Sequence, residues 1–181
     1  AASRASLLTG MYERTHGYTF RQGPLKEPYM QQSYPVLLRA SGYTTAYFGK
    51  FGVTYPGAQR LFDAADLYDR RGKFPGYFYK TIDGDTVHLT RYTGYEAQRF
   101  LREVDPSKPF CLSLGFSAPH AHDPAPEQYF WEPWADSLYR DLTATSRSCP
   151  RRCAGATTAC AGRGATIRRR STSTASRATT A

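Results

Sequence analysis

Gly42-Tyr43-Thr44-Thr45-Ala46-Tyr47-Phe48-Gly49-Lys50 is the stretch on which the architecture turns. From Tyr43 to Phe51 it is dense in β-branched and aromatic residues, which predicts a strand. Lys50 falls where that strand gives way to the loop Gly52 to Gly57. Just upstream, Pro35 to Ala40 reads as a helix, with Ser33 in capping position, Pro in the first turn and Gly42 past the end. Further upstream, Ser3 to Met11 places Leu7, Leu8 and Met11 on one side and has Gly10 near its close, which suits a short helix ended by glycine. Downstream, Tyr77 to Thr81 and Thr86 to Leu89 flank Ile82-Asp83-Gly84-Asp85, a hairpin signal. Tyr95 to Val104 carries apolar side chains at 97, 100, 101 and 104, one helical face. Phe110 to Phe116 comes after Pro106 and Pro109 and reads as a buried strand. This order predicts an α/β domain, a mixed and largely parallel sheet flanked by helices.

Composition sets the outer limits. In 181 residues, 40% hydrophobic and 14% aromatic residues suffice for a core, so disorder throughout is excluded. No apolar run approaches the ~20 residues needed to span a bilayer, and AASRASLLTG does not read as a secretory signal. The net charge of +9 is concentrated in residues 147 to 181, which hold eight Arg and no acid. Residues 1 to 146 balance 16 Lys+Arg against 15 Asp+Glu. All 26 aromatic residues precede Thr143, and the remainder is mostly Ala, Thr, Ser, Arg and Gly, too poor in apolar surface to offset the entropy of ordering. The expected division is therefore a domain over 1–142 and a disordered or frame-shifted tail over 143–181, the abrupt change to residue types that GC-rich codons encode favouring a frame slip. A basic arm for nucleic acid or a membrane surface and a solvated linker are the other readings of this tail. Nucleic acid is not the expected partner.

Single residues say little on their own. Cys111 is expected as a small buried hydrophobe, while Cys149 and Cys153 resemble half a zinc site with no matching pair beyond Cys160. His16 and His88 read as structural or exposed. His122 and Asp123 have metal-ligand chemistry, but a plain loop accounts for them. In open α/β sheets chemistry gathers where strands run out into loops. Two such places carry Lys50 and Ala118-Pro119-His120, and Arg4 opens the first helix, so a cationic trio results.

Ser3-Arg4-Ala5-Ser6-Leu7-Leu8-Thr9-Gly10 resembles the signature of the type I sulfatases, where Cys or Ser, any residue, Pro or Ala, Ser and Arg lead into a helix closed by Leu-Thr-Gly. In that alignment Ala1 is the free position and Ala2 the Pro/Ala position, so the modified Cys or Ser would lie just before Ala1. Gly42 to Lys50 is similar to the second signature, and Pro119-His120 to a later Pro-His element. Three blocks in the right order are far more specific than any one of them.

The resemblance implies an alkaline-phosphatase-like fold and hydrolysis of sulfate monoesters by a formylglycine nucleophile at the mouth of the first helix. It also implies that Arg4 holds the nucleophile's hydroxyl and Ser3 serves a formylglycine-generating or equivalent enzyme. Lys50 would neutralise sulfate and leaving oxygens, and His120 would bind a sulfate oxygen or protonate the departing alcohol. A calcium ion held by carboxylates outside residues 1–181 completes the implied site. A phosphonate or phosphate ester hydrolase of the same superfamily is the neighbouring alternative. The family's usual Gly-Lys-Trp-His-Leu-Gly reads here Gly49-Lys50-Phe51-Gly52-Val53, which puts Gly52 at the second histidine's position. A periplasmic or secreted location would be typical of the family.

Overall fold

A computed structural model describes residues 2–19, 21–72 and 75–138. In chain order the regular elements are α1 (Ala2–Thr9), α2 (Glu13–His16), α3 (Glu27–Met30), α4 (Tyr34–Ala40), β1 (Thr44–Gly49), β2 (Ala64–Leu67), β3 (Phe78–Ile82), β4 (Asp85–His88), α5 (Leu89–Glu103) and β5 (Phe110–Gly115). Two 3-10 segments, Ala58–Leu61 and Pro133–Ser137, complete the set. The main sheet has the order β2-β1-β5 and is parallel throughout, with Ala46 opposite both Ala64 and Leu112. The antiparallel pair β3–β4 forms a separate two-stranded ribbon, so the expected mixture of directions is divided between two sheets.

The alternation of β1 makes it the centre of a three-layer stack. Ala46 and Phe48 face α5, where Phe100 and Val104 pack on them. Tyr47 points the other way, into a cluster with Ala5 and Leu8 of α1, Phe51 and Phe62. Its ring sits 5.4 Å from that of Phe51 and 5.2 Å from that of Phe62. β2 escapes the sequence reading because AADL is short and contains an acid. It is a strand because β1 offers it a ladder from Ala46↔Ala64 to Gly49↔Leu67.

Elsewhere structure and expectation differ in instructive ways. α1 does end at Gly10, in the left-handed region at φ 68, and the hairpin turns through Asp83 and Gly84, both at positive φ. α5 begins at Leu89 rather than Tyr95, because the His88 ring, through Nδ1, accepts the free Thr90 amide at 3.1 Å and starts the helix early. Ser33 occupies the N-cap of α4, but its Oγ donates back to the Met30 carbonyl at 2.5 Å instead of capping. β5 is not a buried strand. Phe110, Leu114 and Phe116 are exposed and Cys111 is half-buried, because among the described residues the strand lies at the sheet edge. His16 and His88 are both buried and structural; the His16 ring accepts the Tyr18 amide through Nδ1 and meets Ser6 Oγ through Nε2. The expected boundary at 142, the tail and its three cysteines lie outside the described residues.

Candidate active site

The site begins with two glycines. β1 and β5 approach so closely at their carboxyl ends that a Cβ on Gly49, at φ +103, would stand 2.2 Å from the Gly115 carbonyl oxygen. A Cβ on Gly115 would meet the Lys50 carbonyl oxygen at 2.4 Å. Only glycine fits at either position, and the Lys50 amide donates to Gly115 at 2.6 Å. This contact aims the segments after both strands into one cleft of about 650 Å³, whose lining includes Arg4, Lys50, Gly52, Ser117 and His120.

Arg4 reaches the cleft from the first turn of α1. Its Nη1 donates to Tyr47 Oη at 3.1 Å and to the Lys50 carbonyl, which also accepts the Tyr47 hydroxyl at 2.8 Å. The guanidinium therefore clamps the mouth of α1 to the end of β1. Burial pushes the Tyr47 phenol up, and the neighbouring Arg4 charge offsets that only in part. Tyr47 thus stays a neutral hydroxyl that can donate and accept at once.

Lys50 is the second cation. Its Nζ lies 2.8 Å from Asp69 Oδ2, just past the end of β2. The other oxygen of Asp69 accepts from Ser117 Oγ at 2.5 Å and from the Arg70 amide at 2.8 Å. Burial tends to raise the Asp69 carboxyl, but the bonds from Lys50 and Ser117, with the Lys50 charge, outweigh it and hold the pKa below the usual carboxylate value.

His120 comes from the loop after β5. Its Nδ1 donates to the Ala121 carbonyl at 2.8 Å, and its Nε2 has no partner among the described residues. The backbone behind it is pinned by Tyr77, a fully buried side chain whose hydroxyl donates to the His120 carbonyl at 2.5 Å. Arg4, Lys50 and His120 thus come from separate segments and line a single cleft. Ser3 is exposed on α1 and outside that lining. His122 is buried with Nε2 donating to Gly72, and Asp123 is exposed, so neither joins the trio.

Among the described residues no group of three or more His, Cys, Asp or Glu could hold a metal ion. Tyr47, Tyr77, Asp69 and Ser117 were missed by sequence reasoning. Ser117 adjoins the Pro-His element and was within reach; Asp69 was not, because it depends on an unrecognised strand.

The family model described as Sulfatase matches residues 1–150. The chain belongs to the sulfatase family. This sulfatase chain is 30% identical over 132 residues to an N-acetylglucosamine-6-O-sulfatase of Bacteroides thetaiotaomicron, covering 68% of itself and 23% of that protein. It is 27% identical over 181 residues to an arylsulfatase of Clostridium perfringens, covering 77% of itself and 36% of the relative. A solved structure in complex with its substrate D-glucosamine-2-N,6-O-disulfate aligns at 29% identity and a TM-score of 0.49, over 66% of this chain and 24% of that one. The chain spans about a quarter to a third of the length of these relatives.

Proposed function

We propose that the protein carrying this chain hydrolyses sulfate monoesters and that the Arg4–Lys50–His120 cleft forms the anion-holding side of its active site. One observation carries the proposal: three cationic or proton-carrying side chains, from the mouth of α1 and the ends of β1 and β5, line one cleft of about 650 Å³. A sulfate ester in reaction spreads negative charge over its oxygens, and fixed donors in a restricted site are suited to that charge.

In this reading Lys50 faces the sulfate oxygens and the bond that breaks. Arg4, bound to Tyr47 and the Lys50 carbonyl, keeps the mouth of α1 against the strand end while presenting positive charge to the anion. His120, held through Nδ1, offers Nε2 to a sulfate oxygen or to the departing alcohol, which needs a proton. A formylglycine formed just before Ala1 would supply the hydroxyl that attacks sulfur. Ser3 and Arg4 belong to the motif that a modifying enzyme would read.

The test is an assay of the full-length protein on para-nitrophenyl sulfate and para-nitrophenyl phosphate, with Lys50→Ala alongside. Sulfate is expected to be the better substrate, and the variant to lose about 10²–10³-fold in kcat, the usual cost of removing one electrostatic stabiliser. Preference for phosphate, or full activity without Lys50, would overturn the reading.

A further inference from the structure

We propose that Asp69 is a positioning residue, the fixed anchor that sets Lys50 and Ser117 in the cleft. The inference rests on the reading of Lys50 given above. A carboxylate is an unexpected neighbour in a place meant for an anion, since it repels the ligand that the cations attract. The bonds around it show what it does there.

Both carboxylate oxygens of Asp69 are engaged. Oδ2 takes the Lys50 ammonium at 2.8 Å, while Oδ1 accepts from Ser117 Oγ at 2.5 Å and the Arg70 amide at 2.8 Å, with Arg70 Nη1 at 3.5 Å. Its own carbonyl accepts the Tyr79 hydroxyl at 2.8 Å. So the carboxylate cannot follow the lysine; the lysine must follow the carboxylate. A long, flexible ammonium gains a defined position from one such bond and keeps two N–H donors for the anion. The same carboxylate ties the segment after β5 to the segment after β2 through Ser117. The depressed pKa of Asp69 agrees with a group kept charged for this purpose.

The test measures kcat and KM of the full-length protein on para-nitrophenyl sulfate for Asp69→Asn, Asp69→Glu, Ser117→Ala and Lys50→Ala. Asp69→Asn is expected to lower kcat at least tenfold with KM unchanged or reduced, since a misplaced lysine slows the reaction while the lost negative charge favours anion binding. Asp69→Glu should recover part of kcat, and Ser117→Ala should show a smaller loss of the same kind. Should Asp69→Asn not fold, Ser117→Ala decides by the same criterion. A kcat within threefold of wild type, or a loss carried mainly by a higher KM, overturns the proposal. If Lys50→Ala keeps full activity, the reading of the cleft itself falls; if Lys50→Ala loses activity and Asp69→Asn does not, only the role of Asp69 does.

Discussion

β1 and β5 are neighbouring parallel strands of the same length and similar composition, yet they live in different environments. Phe48 of β1 is 4% exposed, whereas Leu114, its partner across the ladder, is 39% exposed. The difference is one of position. β1 has a strand on either side and helices on both faces, while among the described residues β5 has a hydrogen-bonded neighbour on one side only. Apolar composition states that a strand can be buried; the number of its neighbours decides whether it is.

Phe48→Ala should show the largest effect, about 3–5 kcal/mol in urea unfolding, because it empties the contact with Phe100 and leaves a cavity. A loss below about 1 kcal/mol would mean that β1 is not the centre of the core. Gly49→Ala comes next, at about 3 kcal/mol, since the added methyl collides with the Gly115 carbonyl in a left-handed backbone. Stability close to wild type would show that the two strand ends can part, and the cleft with them. Leu114→Ala should cost under about 1 kcal/mol, in keeping with its exposed place. A cost equal to that of Phe48→Ala would erase the contrast.

The comparison extends, through pH, to two titratable groups in different surroundings. At the cleft, Asp69 is held charged, with a pKa below its ordinary value. At the hairpin, burial lowers the pKa of His88, which keeps its ring neutral as cap of α5 and partner of the Phe130 carbonyl. In both cases the unfolded chain binds protons more readily, so stability is lost as pH falls. The His88 share is complete above its unfolded value of about 6.5 and declines below it, whereas the Asp69 share is complete above about 3.9 and declines only in stronger acid. Unfolding free energies of His88→Gln should therefore fall less than wild type between pH 7 and 5, and those of Asp69→Asn should differ in slope only below about pH 4. Parallel curves for His88→Gln and wild type over the upper window would exclude the neutral-cap account.

Much of this was legible beforehand. Strands β1 and β5, the hairpin and the helix ended at Gly10 come from local signals, namely β-branched runs, Asp-Gly and glycine after an apolar face, whereas Arg4, Lys50 and His120 were singled out by three blocks that together resemble the sulfatase signatures. Those signals are written by a residue and its near neighbours, so they survive without coordinates. The strand status of Ala64–Leu67, the exposure of β5, the early start of α5 and the anchoring of Lys50 by Asp69 were not legible. Each depends on the group opposite in space: a ladder offered by β1, a missing neighbour, an imidazole turned onto an amide, a carboxylate brought across from another strand. Sequence set which groups were available, and tertiary packing alone chose which of them meet, because pairing energies depend on separations of a few ångströms that chain order does not specify.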